Sequence, residues 1–411
     1  MITQWFTPEI SLVLPLAKGL KQSGHKVQIL TGFPNYPGGN VFPGYKIKLW
    51  QREVLENLPI LRVVLYPSHN NSALKRIANY VSFAFSSAAI GLLFLKKPDI
   101  IYAYHPPATI GLPTIAFHWF KRAPFVYHIQ DLWPDTLGAT GMFNNKIGLK
   151  IIGKWCDFIY QQANRIVVIS PGFKKVLLDR GVPDDKIKVI YNWCPDENQI
   201  KPQNKDENLS IKLGLSNRFN VVSAGAIGKA QALDAVLDAA HLIAKQLPII
   251  QFVFVGDGVD AVRLKERVIN EKLSNILFLP WCPVPEVARI LAIADLAFVH
   301  LKDKPLFEIT IPGRTQAYMA AGKPILMGVK GDAAEIVKKA GVGIVCTPEN
   351  PKSIADSIER LFNMSRIQLD TMGRNGREFY EKELSLHKAV EEFENMFKLV
   401  VENKVNGKKN I

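Results

Sequence analysis

Cysteine is scarce in this 411-residue chain, which has four: Cys156, Cys194, Cys282 and Cys346, with no C-x-x-C pair. Their scatter argues against a disulfide framework or a zinc site and fits a reducing cytoplasm. Acidic residues are also few, 37 against 51 Lys and Arg, which leaves a formal charge of +14. Residues 1–200 hold 22 of the basic and 12 of the acidic side chains, so most of the excess lies in the first half. A basic half attracts phosphate-rich partners, whether nucleic acid, anionic lipid or a pyrophosphate-linked substrate. No helix-turn-helix, zinc-finger or RNA-binding aromatic motif accompanies it, which weighs against nucleic acid. The first residues lack a basic region followed by an apolar run, so no cleavable signal peptide is expected.

What is present is a globular composition, 48% hydrophobic and 21% charged, in a chain long enough for two cores. Short apolar runs of the kind seen in buried parallel strands occur at 27–30, 100–104, 125–129 and 166–169. A second series follows at 220–224, 250–255, 276–279, 296–300, 324–327 and 342–345. Helical stretches such as 12–22 and 146–164 lie between them. Two successive series of this kind predict an α/β protein with two doubly wound domains. The expected division is an N-terminal domain over 1–195, a turn-rich and polar linker over 196–217 and a C-terminal domain over 218–384. A terminal helix and basic tail over 385–411 follow, the helix free to pack on either domain and the tail frayed. The first strand is oddly short. Met1–Gln4 runs straight into Trp-Phe-Thr-Pro-Glu, as expected if the start codon is assigned a few residues late.

One stretch, 77–95, carries no charge and is bracketed by Lys75-Arg76 and Lys96-Lys97. It approaches the ~20 apolar residues of a spanning helix. Three readings stand: a helix packed on a sheet, one dipping into the membrane surface, or a span. Lys46, Lys48 and Arg52, with Tyr45 and Trp50 between them, form either a solvated basic loop or a surface for membrane phosphates or a lipid-linked pyrophosphate. His25 is read as packing.

The chemistry concentrates late in the chain. Phe307-Glu308 precedes Pro312-Gly-Arg-Thr-Gln-Ala-Tyr-Met-Ala-Ala-Gly-Lys-Pro-Ile325, a loop carboxylate followed by a short helix and an apolar strand. That order puts polar groups and a helix start at the carboxyl edge of a parallel sheet, where phosphorylated ligands bind. Glu308 is the candidate clamp for sugar hydroxyls, and Gln316 for a ribose hydroxyl; each alternatively has only a capping or solvated role. Gly225-Ala-Ile-Gly-Lys-Ala-Gln231 is a second candidate grip. Gly225 and Gly228 let backbone approach a phosphate, and Lys229 adds a charge that an anion would compensate at a helix start. Gly256-Asp-Gly258 is a similar turn but not a G-x-G-x-x-G. His105, at a strand end, is placed to orient an acceptor hydroxyl or is simply structural. Asp131 and Asp135 are candidate acceptor contacts or a strand and a helix-cap residue.

The segment 312–325 resembles the nucleotide-sugar loop of family 4 glycosyltransferases, Pro-Ser-Lys-x-x-Glu-Tyr-Met-Ala-x-Gly-x-Pro. Gly24-His-Lys-Val27, Ile101-Tyr-Ala-Tyr-His105 and Ser170-Pro-Gly-Phe173 with Val189-Ile-Tyr-Asn192 extend the likeness over most of the chain. Gln4-Trp-Phe-Thr-Pro-Glu9, Thr31-Gly-Phe-Pro-Asn-Tyr-Pro37 and His128-Ile-Gln-Asp-Leu-Trp-Pro-Asp135 resemble a branch of fucosamine transferases of surface polysaccharide assembly. The resemblance implies a GT-B fold, two Rossmann-like domains facing each other across a cleft. It also implies a sugar nucleotide held mainly by the C-terminal domain, retention at the anomeric carbon, and no metal or other cofactor.

On that resemblance the donor is a UDP-sugar, an N-acetylated deoxyhexose, and the acceptor an undecaprenyl-diphosphate-linked saccharide. The implied location is the cytoplasmic face of the plasma membrane, with an anionic membrane surface as partner. His105, Lys229 and Glu308 are then the expected catalytic residues. Gly225, Gly228, Gly256, Pro280, Trp281 and Gln316 are expected on the donor, with backbone near Pro280-Trp281 meeting the base, and Glu9, Asp131 and Asp135 on the acceptor. Three departures weaken individual donor contacts. Ala317 replaces the motif's second Glu, Ala226 stands where many members have Arg, and Gln231 where they have Lys, leaving Lys229 to hold the diphosphate. A sugar-nucleotide epimerase on the same fold and a non-catalytic ligand-binding partner are the alternative expectations.

Overall fold

Short apolar runs alternating with amphipathic helices build two units in a computed structural model of the chain. It describes every residue except 10, 69–72, 140–142, 144 and 408–411. One unit comprises Met1–Ile190 and the chain from Ala389 on; the other is Tyr191–Lys388.

The first unit contains strands β1 (Ile29–Gly32), β2 (Trp50–Leu55), β3 (Leu58–Val63), β4 (Ile101–His105), β5 (Phe125–Ile129), β6 (Arg165–Val168) and β7 (Ile187–Val189). Its helices are α1 (Val13–Gln22), α2 (Ala73–Phe94), α3 (Gly111–Phe120), α4 (Asp135–Ala139), α5 (Lys146–Gln162) and α6 (Pro171–Asp179). The sheets β2-β3-β1 and β4-β5-β6-β7 are joined by the N-terminal stub. Ile2 bridges in parallel to both Leu30 and Ala103, with Ile2 N donating to Tyr102 O at 2.8 Å and Leu30 N to Met1 O at 2.9 Å. Four residues thus occupy the central strand position. All pairings are parallel except the β2–β3 hairpin, whose two-residue turn, Glu56–Asn57, has φ of 52° and 60°. That is the left-handed pair a tight hairpin turn demands.

The second unit contains β8 (Phe219–Ala224), β9 (Ile250–Val255), β10 (Ile276–Leu279), β11 (Leu296–His300), β12 (Ile325–Gly328) and β13 (Gly343–Val345). They form one parallel sheet in the order β10-β9-β8-β11-β12-β13. The helices are α7 (Glu207–Lys212), α8 (Leu233–Ala244), α9 (Ala261–Asn270), α10 (Val284–Ile293), α11 (Pro305–Glu308), α12 (Gly313–Ala320), α13 (Asp332–Ala340), α14 (Pro351–Phe362) and α15 (Arg366–Phe379). Two apolar clusters include residues from alternate positions of the strands, Val222, Val253 and Ala297 in one and Val221, Phe252 and Phe298 in the other, as a doubly wound sheet requires.

Several expectations are corrected. Residues 196–217 are not a linker but part of the second unit: Asp206 caps α7, accepting from Leu209 N at 2.9 Å, and Leu209 and Leu215 are buried. Their polar neighbours hide that anchoring in the sequence. The last helix, α16 (Leu386–Gly407), which the sequence left free to pack on either domain, lies in the first unit from Ala389 on, where Phe393 packs edge-on to Tyr102 at 5.4 Å. Helix thus extends to Gly407 through part of the expected tail; 408–411 lie outside the described residues. Trp50 and Arg52 belong to an edge strand rather than a loop. His25 is exposed, 3.3 Å from Glu394.

Candidate active site

The expected donor residues gather at the carboxyl edge of the second sheet. Beyond β8 and β9 two turns lie back to back, with Gly225 N donating to Val255 O at 2.8 Å and Ile227 N to Asp257 O at 2.9 Å. Gly256 sits at φ +135°, and a Cβ there would lie 2.2 Å from the Gly225 carbonyl oxygen. Gly256→Ala is therefore expected to cost about 1–3 kcal/mol for overpacking and about 1–3 kcal/mol more for backbone strain. Gly313→Ala, where a Cβ meets nothing within 4 Å, should be near neutral. Urea unfolding midpoints of the two variants check this, and equal midpoints would contradict it.

Lys229 is exposed at the start of the single 3-10 turn Lys229–Gln231 that leads into α8. Gln231 accepts from Gly228 N at 2.9 Å through its side chain. The Gly228 N–H is therefore taken by a cap, not left for phosphate, and Gln231 is a structural residue. His300 ends β11 and locks the same turn. Its Nε2 accepts from Glu349 N at 3.0 Å, so Nδ1 carries the proton and donates to Gln231 O at 2.7 Å. Burial holds this imidazole below its ordinary pKa, which keeps it neutral for both bonds.

Arg314 belongs to the site as well, although nothing in its local sequence marks it. Standing in the first turn of α12, its guanidinium donates to Ser223 Oγ at 3.1 Å and to the Ala226 carbonyl. It lies against Gly225, where a Cβ would come 2.8 Å from Arg314 Nε. Both hydrogen-bond acceptors are neutral, and no carboxylate pairs with it among the described residues. A cation thus stands beside Ala226 itself, delivered from 88 residues away. Tyr318 fixes α12 in this position, its hydroxyl accepting from Ala224 N at 2.7 Å. Gln316 is buried on that helix with Oε1 unpartnered, so the expected ribose contact lies inside the unit rather than on its surface.

Glu308 ends α11 with its side chain exposed. Its backbone carbonyl presses on Gly331, at φ +68°, where a Cβ would come within 1.9 Å. The amino end of α13 therefore abuts Glu308. Pro280 and Trp281 follow β10, two strands from β8, and the Trp281 ring is 72% exposed.

The expected acceptor residues gather at the carboxyl edge of the first sheet. His105 is buried at the end of β4, with both ring nitrogens unpartnered. Its ring is 5.7 Å from Tyr127 and 5.5 Å from Trp133, and burial pushes its pKa down to about 3. At neutral pH it is an uncharged group that can donate from one nitrogen and accept at the other, and a weak base. Asp131 follows β5, and burial raises its carboxyl; burial also raises the phenols of Tyr36, Tyr80 and Tyr104, and the nearby Asp131 charge adds to that rise. Trp5 stacks on Tyr36 at 4.7 Å, and Tyr80 lies 6.2 Å from Trp133, so aromatic rings surround the His105–Asp131 region.

Glu9 has a different part. Its oxygens accept from Phe6 N at 2.9 Å and from Asn35 N and Tyr36 N at 2.7 Å each, so this buried carboxylate shapes the loop that carries Tyr36 instead of facing an acceptor. Asp135 is paired with Arg180, which also donates to Trp133 O at 3.1 Å, and it too positions the loop.

Residues 11–197 match the family described as Glycosyltransferase Family 4, and residues 205–379 match Glycosyl transferases group 1. The chain belongs to the family 4-type glycosyltransferases. Among similar proteins, the putative colanic acid biosynthesis glycosyl transferase WcaI of Escherichia coli is 23% identical over 391 residues, 92% of this chain and 93% of WcaI. The probable glycosyltransferase WbjE of Pseudomonas aeruginosa is 22% identical over 302 residues, 72% of this chain and 74% of its own. Anabaena HepE, solved with UDP-glucose, superposes on this glycosyltransferase with a TM-score of 0.69 at 17% identity, covering 97% of this chain and 98% of its own. The fold is GT-B, in two Rossmann-like halves.

Proposed function

We propose that this glycosyltransferase moves a sugar, an N-acetylated deoxyhexose, from its UDP-linked form to a lipid-linked saccharide in surface polysaccharide assembly. It would do so with retention, without a metal or cofactor, at the inner face of the plasma membrane. The observation that carries the reading is the Arg314 guanidinium, bound only to neutral groups beside a glycine turn at the sheet edge that also holds Glu308. The UDP-glucose bound by HepE and the colanic acid role in the name of WcaI support the donor class and the pathway.

In the reaction the anomeric carbon–oxygen bond to the diphosphate breaks, and the acceptor oxygen bonds to that carbon on the same face. The acceptor proton leaves with the released UDP or to water. Arg314, with Lys229 nearby, stabilises the charge growing on the diphosphate, the role a metal ion plays elsewhere. Glu308 accepts hydrogen bonds from sugar hydroxyls. Neutral His105 orients the acceptor hydroxyl, and Asp131 accepts from it.

The test is incubation of the purified protein with a panel of UDP-sugars, with and without EDTA, and polyprenyl-diphosphate-linked saccharides. An α-linked product from an α-linked donor, formed equally in EDTA, is expected. UDP binding with no transfer from any pair would leave a non-catalytic binding protein, and product formed without acceptor an epimerase.

A further inference from the structure

Helix α2 is half buried. Its inward face is hydrogen-bonded to the first unit: Asn79 donates to Tyr66 O at 2.7 Å, Ser86 donates to Val64 O at 2.5 Å, and Gln4 donates to Asn79 Oδ1 at 2.5 Å. A membrane-spanning orientation would strip those bonds, each costly to lose in hydrocarbon. Yet its outward face is apolar from end to end, with Leu74 79%, Phe85 64% and Leu93 79% exposed and Ile77 and Val81 between them. Spaced three, four, four and eight residues apart, they form a band that winds slowly along the outward side of the helix, over about 29 Å from Leu74 to Leu93.

The stripe widens at its carboxyl end. Gly91 packs on Phe117, where a Cβ would lie 2.9 Å from that ring, so the ends of α2 and α3 are side by side. Trp119 and Phe120 at the end of α3 are 54% and 75% exposed. From β2, Trp50 packs on Phe94 at 4.7 Å and Arg52 donates to Phe94 O. Lys96 and Lys97 are exposed beside this cluster, and Lys75 at the other end. The amino end of α2 carries Tyr80, 6.3 Å from Trp5, at the candidate acceptor region.

We infer that the outward stripe of α2, with Trp119, Phe120 and Trp50, is a monotopic membrane anchor that lies flat in the interface of an anionic bilayer. An apolar stripe ended by exposed cations and interfacial tryptophans matches acyl chains below and negative headgroups around. Lying flat brings the His105–Asp131 region to the headgroup level, where a lipid-linked saccharide presents its sugar. This deepens the membrane association proposed above and rests on that part of the reading.

The experiment is flotation of the full chain with vesicles of phosphatidylcholine alone or mixed with phosphatidylglycerol, no acceptor present, with UDP binding measured in parallel. The chain should float with the anionic vesicles. Lys96→Gln with Lys97→Gln should weaken partitioning by roughly thirtyfold, and Phe85→Ser with Leu93→Ser by about tenfold or more. UDP binding should be unchanged in both, since every substituted side chain is solvent-exposed. Wild-type partitioning in the apolar variant would overturn the inference, as would a chain that ignores vesicles and doubles in mass through this face. Lost UDP binding with intact flotation would instead count against the donor reading.

Discussion

Arg314→Ala should lower transfer by about 10²–10³-fold, the loss seen when one preorganised donor to a developing negative charge is removed. The effect is electrostatic. Arg314 is half-buried, is held by Ser223 and the Ala226 carbonyl, and neither acceptor neutralises it. A fixed, uncompensated cation beside a backbone turn meets a diphosphate with little reorganisation, whereas exposed Lys229 must first be immobilised. Lys229→Ala is thus expected to lower turnover less than Arg314→Ala, with the fold intact. Arg314→Lys should recover part of the loss because it keeps the charge but not the fork. Steady-state kinetics at saturating donor would decide: if Arg314→Ala turns over like the wild type while Lys229→Ala does not, the phosphate cation is Lys229.

Acidification should destabilise the first unit well before its carboxylates are fully protonated. His105 and His128 are both buried, and burial pushes each pKa from 6.5 to about 3. His128 accepts from Gln130 at Nε2 and so donates from Nδ1 to Tyr102 Oη, at 2.8 and 2.6 Å, bonds that require the neutral ring. Below 6.5 the unfolded chain takes up protons that the native unit refuses, so stability is fully present above 6.5 and is lost as pH falls toward 3. At pH 5 the two histidines together cost roughly 4 kcal/mol, a large share of the ~5–15 kcal/mol typical of a domain. Glu9 and Asp131, raised by burial, act in the opposite sense nearer their own titration range. Thermal unfolding from pH 7.5 to 5 should show the fall, and imidazole resonances of His105 and His128 should stay neutral throughout. Titration of either ring near 6.5 would contradict the burial on which the prediction rests.

The parallel strands were legible because burial on both faces leaves unbroken apolar runs: 125–129 and 250–255 in the sequence are β5 and β9. The β2–β3 hairpin was not. Its edge strand exposes alternate residues, and Arg62 reads as one more surface cation. In fact Arg62 is fully buried, bonded to Glu53 at 2.7 Å and to the Gly32 carbonyl at 2.9 Å. Part of the basic charge counted in the first half is therefore internal. At the donor site the glycine turn and Glu308 were readable as local motifs. Arg314 was written in the same loop, but its approach to Ala226 exists only once β8 and α12 are folded together. Likewise Gln231 shows itself as a cap only in three dimensions, which turns two apparent losses of phosphate contacts into a relocated cation and a structural residue.

Thermal unfolding with UDP, GDP and ADP, each with and without magnesium, tests the central claim most directly, because a ligand that binds only the native state stabilises it by about 2.7 kcal/mol at a hundred times its Kd. A rise with UDP alone, independent of magnesium and largely lost in Arg314→Ala, is the predicted result. No rise with any nucleotide, or a full UDP response without Arg314, would contradict the site described here.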